Sequence, residues 1–116
     1  MKIYFDNCSL QRPLDSKTQI RVAVESEVVL ELLALCESGQ IELVSSEALS
    51  FEVLKNPNLA RLEYALDILR KARVYVQIND QVEGRARMLV EIGFKPLDAL
   101  HLASAEEAEA DYLMYL

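Results

Sequence analysis

Short apolar runs alternate along the chain with longer segments whose apolar residues recur every three or four positions. Residues 2–6, Lys-Ile-Tyr-Phe-Asp, are β-rich and read as a strand that ends at a carboxylate. Residues 7–17 carry Arg12-Pro13 and Asp15-Ser16, which is turn chemistry and predicts a loop. From about Thr18, Val24, Val28, Leu32, Leu35 and Cys36 make the stripe of a long helix, with Gly39 as its C-terminal cap. Residues 41–44 form a second apolar strand, and Ser45 or Ser46 caps a helix that ends before Asn56-Pro57. Residues 59–71 repeat the helical period through Leu62, Ala65, Leu66 and Leu69, and Val74, Val76 and Ile78 alternate as a third strand. Asp80 with Glu83 starts a helix through Ile92, closed by Gly93. Pro96 opens a helix to about Glu109, where its missing N–H costs nothing, and residues 112–115 read as a fourth strand.

Strands that alternate with helices predict an α/β fold: a three-layer sandwich around a central, mainly parallel, four-stranded sheet. At 116 residues and 52% hydrophobic, the chain has the size and apolar content of one domain, residues 1–116. The N-terminus enters a strand directly, without a basic leader or a long apolar segment, so the expectation is a cytoplasmic protein with no membrane span. Cys8 and Cys36 form no metal or redox spacing and are expected to be reduced, small core residues. Tyr4, Phe5, Phe51 and Tyr64 are likewise assigned to the core.

Three acids change this picture. Asp6 ends the first strand, Glu52 lies on the helix after the second, and Asp98 opens the helix that starts at Pro96. In a parallel sheet, ligands gather at the carboxyl ends of the strands, and carboxylates meeting there suit Mg²⁺ or Mn²⁺. Such an ion in turn suits phosphodiester chemistry. The net charge of −7 runs against a nucleic-acid partner, although a cluster of metal-binding acids raises the acid count by itself.

The contexts of these acids carry a resemblance. Ile3-Tyr4-Phe5-Asp6-Asn7-Cys8, then Val44-Ser45-Ser46 with Glu52 further along the helix, then Pro96-Leu97-Asp98-Ala99-Leu100-His101 resemble, in order, the three motifs of PIN-domain proteins. The resemblance spans nearly the whole chain. It implies a metal-dependent ribonuclease of the VapC toxin type, with RNA as substrate and an antitoxin protein as partner; an uncovered sheet edge adds the expectation of a homodimer. It also implies Asp6, Glu52 and Asp98 as catalytic metal ligands, with Asn7 and Ser46 as supporting hydrogen-bonding groups. Glu47 rivals Glu52, at a spacing that fits the family less well. The family places a fourth acid after the fourth strand and then a further helix and strand. Here the sequence stops at Leu116, which implies a C-terminally truncated PIN-like sheet, and Asp111 falls at the opposite edge.

Two further residues have both a functional and a structural reading. His101, the sole histidine, is one turn beyond Asp98 and could meet the metal or a phosphate; equally, it could be a half-buried helix residue with one hydrogen bond. Arg12 follows Asp6 and could contact RNA, or be a solvated loop arginine. Glu25, Glu27 and Glu31 read as a solvated face, beside an apolar stripe able to dock a partner helix.

Overall fold

The computed structural model describes residues 1–116 and contains four strands: β1 (Lys2–Phe5), β2 (Glu42–Ser46), β3 (Val74–Val76) and β4 (Tyr112–Met114). They form one sheet in the order β3-β2-β1-β4, with every neighbouring pair parallel. Ile3, Tyr4 and Phe5 are buried in succession, as are Leu43, Val44, Ser45 and Ser46. A strand with one solvent face would alternate, so consecutive burial means that both faces of the central strands are covered. Six helices supply the cover: α1 (Asn7–Gln11), α2 (Ile20–Glu37), α3 (Glu47–Leu54), α4 (Leu59–Leu69), α5 (Asp80–Glu91) and α6 (Pro96–Glu107). The result is an α/β sandwich of the predicted class.

Local chemistry fixes the helix ends. The Ser46 hydroxyl accepts the Leu49 N–H and starts α3, while Asn58 caps α4 by accepting the Arg61 N–H. α5 is capped by Asn79, which accepts from Val82 N–H, one residue before the Asp80 start predicted from the capping-box pattern. Gly39 follows α2 at φ +83°, the left-handed conformation that lets the chain turn out of the helix and into β2.

Residues 7–17 depart from the predicted loop. Asp6 caps α1, and a 3-10 turn over Arg12–Leu14 continues it. Five residues carry too little periodicity to announce a helix; the cap and the fully buried Leu10 make this one stable.

α2 sits where predicted but is rotated. Val24 and Val28, expected inside, are 56% and 40% exposed, whereas Ser26 and Val29 are buried. The reason is polar. The Ser26 hydroxyl donates to the Arg12 carbonyl at 3.0 Å, and the Arg12 guanidinium lies 3.6 Å from Glu25. Turning Val24 and Val28 inward would carry both partners away from Arg12. Glu25 is therefore not part of a solvated face.

Three smaller corrections have local causes. β3 stops at Val76, because Ile78 N–H donates to Glu47 Oε1 at 2.9 Å, a side chain outside the sheet ladder. Phe51 is 55% exposed, since Ala48, Leu49 and Val53 fill the inner face of α3; its ring lies under the Lys55 ammonium at 4.1 Å. Cys8 is exposed and Cys36 half-buried, both unpaired, and Tyr64 is half-buried.

Candidate functional site

The parallel register brings the carboxyl ends of β1, β2 and β4 to one edge of the sheet. Asp6 directly follows β1, and its backbone N–H donates to Met114 O on β4. Its Oδ1 accepts from both the backbone N–H and the hydroxyl of Ser9, at 2.9 and 2.5 Å. Those two bonds fix the carboxylate and leave Oδ2 without a protein donor. Asp98 lies in the first turn of α6, where the positive end of the helix dipole favours its charge. Glu52 projects from α3, the helix that Ser46 starts at the end of β2.

Glu52 ends a buried polar chain. The Tyr4 hydroxyl is 2.6 Å from Ser46 Oγ and 2.6 Å from His101 Nδ1, and His101 Nε2 is 3.1 Å from Glu52 Oε1. A carboxylate only accepts, so with a neutral imidazole the ring proton is assigned to Nε2. Nδ1 then accepts from Tyr4, which in turn accepts from Ser46. His101 is only 2% exposed, with both ring nitrogens engaged, so it meets Glu52 and presents no surface to a substrate.

The fields of the acids overlap. Burial pushes the Tyr4 phenol up, and the charges of Glu52 and Asp6 push it further. The Cys8 thiol is raised chiefly by burial and then by the same two carboxylates, which keeps it a poor nucleophile. Tyr115, just beyond β4, is pushed up to about 12, first by hydrogen bonding to Asp98 and then by burial and by the charges of Asp98 and Asp6. A phenol therefore occupies the position after the fourth strand where an acid was looked for. Asp111 is tied to the opposite end, accepting from Lys2 N–H at 2.8 Å.

The other predicted residues are placed as follows. Ser46 is buried and acts on Glu52 only through Tyr4 and His101. Asn7 Oδ1 accepts from Gln11 Nε2, within a 200 Å³ polar cavity that Cys8, Arg12 and Arg61 also line. Arg12 is bound to Asp15 at 3.0 Å and paired with Glu25, and Arg61 binds the other oxygen of Asp15 at 2.9 Å. The structure thus engages the Arg12 charge in holding the 3-10 turn to α2. Glu47 is engaged with β3 through Ile78.

Carboxylate oxygens are the donors that hard divalent cations prefer. No three His, Cys, Asp or Glu side chains stand close enough to enclose an ion together. As placed, the three acids do not by themselves make a cage for Mg²⁺ or Mn²⁺.

A pH dependence follows from Tyr4. Below about pH 10 the phenol is protonated in both the folded and the unfolded chain, and its contribution to stability is complete. Above that the unfolded chain ionises first, so stability falls as pH rises toward the raised folded value. Thermal unfolding midpoints are expected to hold to about pH 9 and then drop, with a shallower drop in Tyr4→Phe. An equal alkaline slope in both proteins would assign the loss to other groups.

Neither a protein-family model nor a curated protein sequence matches the chain. Among solved structures, the fold is similar to one described as the crystal structure of FitAcB from Neisseria gonorrhoeae. The TM-score is 0.54 at 15% identity, over 95% of this chain and 84% of that one. The likeness is one of fold.

Tyr4, Ser9 and Tyr115 were missed as members of this edge. Ser9 had a readable signal: a serine three residues after an aspartate at a strand end is a capping arrangement. Tyr4 and Tyr115 had none, because their partners lie far away in sequence.

Proposed function

We propose that the chain is a PIN-like metal-dependent endoribonuclease of the VapBC toxin type, hydrolysing RNA phosphodiester bonds. What supports this reading is that Asp6 follows β1, Asp98 opens α6 and Glu52 lies on the helix that follows β2, in a parallel α/β sandwich. Asp6 and Asp98 act on the same phenol, Tyr115, and Asp6 and Glu52 act on both Tyr4 and Cys8. When bound, Mg²⁺ or Mn²⁺ supplies Lewis-acid activation of water and neutralises charge on the phosphodiester. Asp6, fixed by Ser9, and Asp98, at the helix start, would hold it, and Glu52, too far to enclose the ion with them, would act through water. In this reading an antitoxin protein is the partner and a homodimer the assembly. No helix is long and apolar enough to cross a membrane.

The test is cleavage of a structured RNA by purified protein with Mn²⁺, alongside Asp98→Asn prepared identically. Cleavage by the wild type and its loss in the variant is the expected result. A second reading is a PIN-like module without catalysis that acts through protein binding or dimerisation. It is favoured by the apolar side chains that α2 leaves outside, with Ile20 84% exposed beside Val24 and Val28. Folded protein that cleaves no RNA with either ion, but self-associates, would decide for this second reading.

A further inference from the structure

Helix α5 packs on α6 and buries only Val82, Ala86 and Leu89; the rest of it stands outside. Glu83, Arg87 and Glu91 recur at every fourth position and so form one row along the helix. The row borders a 410 Å³ groove against α6, floored by Ala86, Val90, Pro96 and Leu100. On its other side Gly84, Met88 and Ile92 make a second row at the same spacing. Met88 is 57% exposed and Ile92 73%, an apolar surface of the kind that marks an interaction face. Gly84 is exposed within the helix, and a Cβ built there would meet nothing within 4 Å. Glycine weakens a helix interior, and its use is to let another backbone come close.

Charge decides what covers this face. The whole chain carries −7, yet residues 80–95 hold three acids and three bases. The exposed apolar surface on α2 is bordered differently, since residues 20–37 hold four acids and one base. Two copies meeting through α2 would set like charges together, whereas α5 offers both signs. The row is also self-complementary. Under a two-fold axis α5 meets its copy antiparallel, and a register centred at Leu89 sets Arg87 against Glu91 of the other copy and Glu91 against its Arg87. Arg85 and Arg87 are paired within the chain, to Glu106 and Glu83, and Glu91 is left without a basic partner.

We propose that α5 and its groove against α6 form the interface of a two-fold homodimer, with Arg87 and Glu91 paired reciprocally across it and Met88 and Ile92 packed beside them. The inference rests on the homodimer part of the proposed function and is independent of the metal edge.

Sedimentation velocity of the whole chain over a range of concentrations makes the test, with circular dichroism on every variant to establish folding. The wild type is expected to dimerise. Arg87→Glu and Glu91→Arg each set like charges against one another twice. Either alone is expected to raise the dimer dissociation constant roughly a hundredfold. Mixing the two variants is expected to restore a dimer, because each copy then presents one sign to the opposite sign on the other. Dissociation without recovery on mixing would overturn the reciprocal pairing. Dimers of undiminished affinity in both folded charge variants would overturn the α5 interface, and their loss in Val24→Asp would move it to α2. If neither charge variant folds, Met88→Asp decides: a weakened dimer is expected, and an unchanged one would overturn the interface. A wild type that stays monomeric would overturn the interface and the homodimer together. A dimeric wild type that cleaves no RNA with Mn²⁺ would overturn the nuclease reading and leave the interface standing.

Discussion

Asp6→Asn is expected to reduce Mn²⁺-dependent RNA cleavage by roughly a thousandfold while the fold stays intact. Under the proposed function, an ion at this edge would contribute several kcal/mol of charge stabilisation, and about 4 kcal/mol corresponds to three decades in rate. The substitution removes that charge and little else. Asparagine keeps a side-chain oxygen for the Ser9 N–H, so α1 retains its cap. Its denaturation midpoint should shift by no more than about 1 kcal/mol of stability. Rate measurements under single-turnover conditions, with circular dichroism on the same samples, make the check. Wild-type cleavage by a folded Asp6→Asn protein would remove this aspartate from the site.

Phe5→Ala is expected to have the largest effect on stability, with a loss of about 3–5 kcal/mol. Phe5 is fully buried on β1, one of the two strands paired on both sides, and its neighbour in sequence is Asp6. A domain of this size has about 5–15 kcal/mol in total, so the variant should approach the unfolding threshold near body temperature. Phe51→Ala serves as the contrast, since its ring is 55% exposed and mainly meets Lys55. Urea denaturation of the two variants beside wild type measures both. Comparable losses at the two positions would contradict the burial on which the comparison rests.

The sequence revealed the sheet because a parallel strand buried on both faces leaves a short, continuous apolar run, and Ile3-Tyr4-Phe5 is such a run. Caps such as Ser46 and Gly39 were legible because they depend on neighbours within a few residues. The rotation of α2 was not. Its apolar residues surround the helix, so periodicity could not choose a face, and a pair of polar contacts to Arg12 chose it. Asp6, Glu52 and Asp98 were singled out from their local contexts: Asp6 follows β1, Asp98 lies in the first turn of α6, and Glu52 lies within α3. The chain joining Ser46, Tyr4, His101 and Glu52 was hidden for the opposite reason. Tyr4 and His101 are 97 positions apart, and only the folded sheet brings them together.

The strand order also sets a schedule. β1 is synthesised first and pairs with β4, made last among the strands, so Ile3 waits for Tyr112 across most of the chain. Such a long loop is slow to close and closes late. A nascent chain on the ribosome thus carries Asp6 and Glu52 well before Tyr115 and the final strand arrive to complete the edge. Whatever chemistry that edge performs becomes available only after residues 112–114 have docked beside β1.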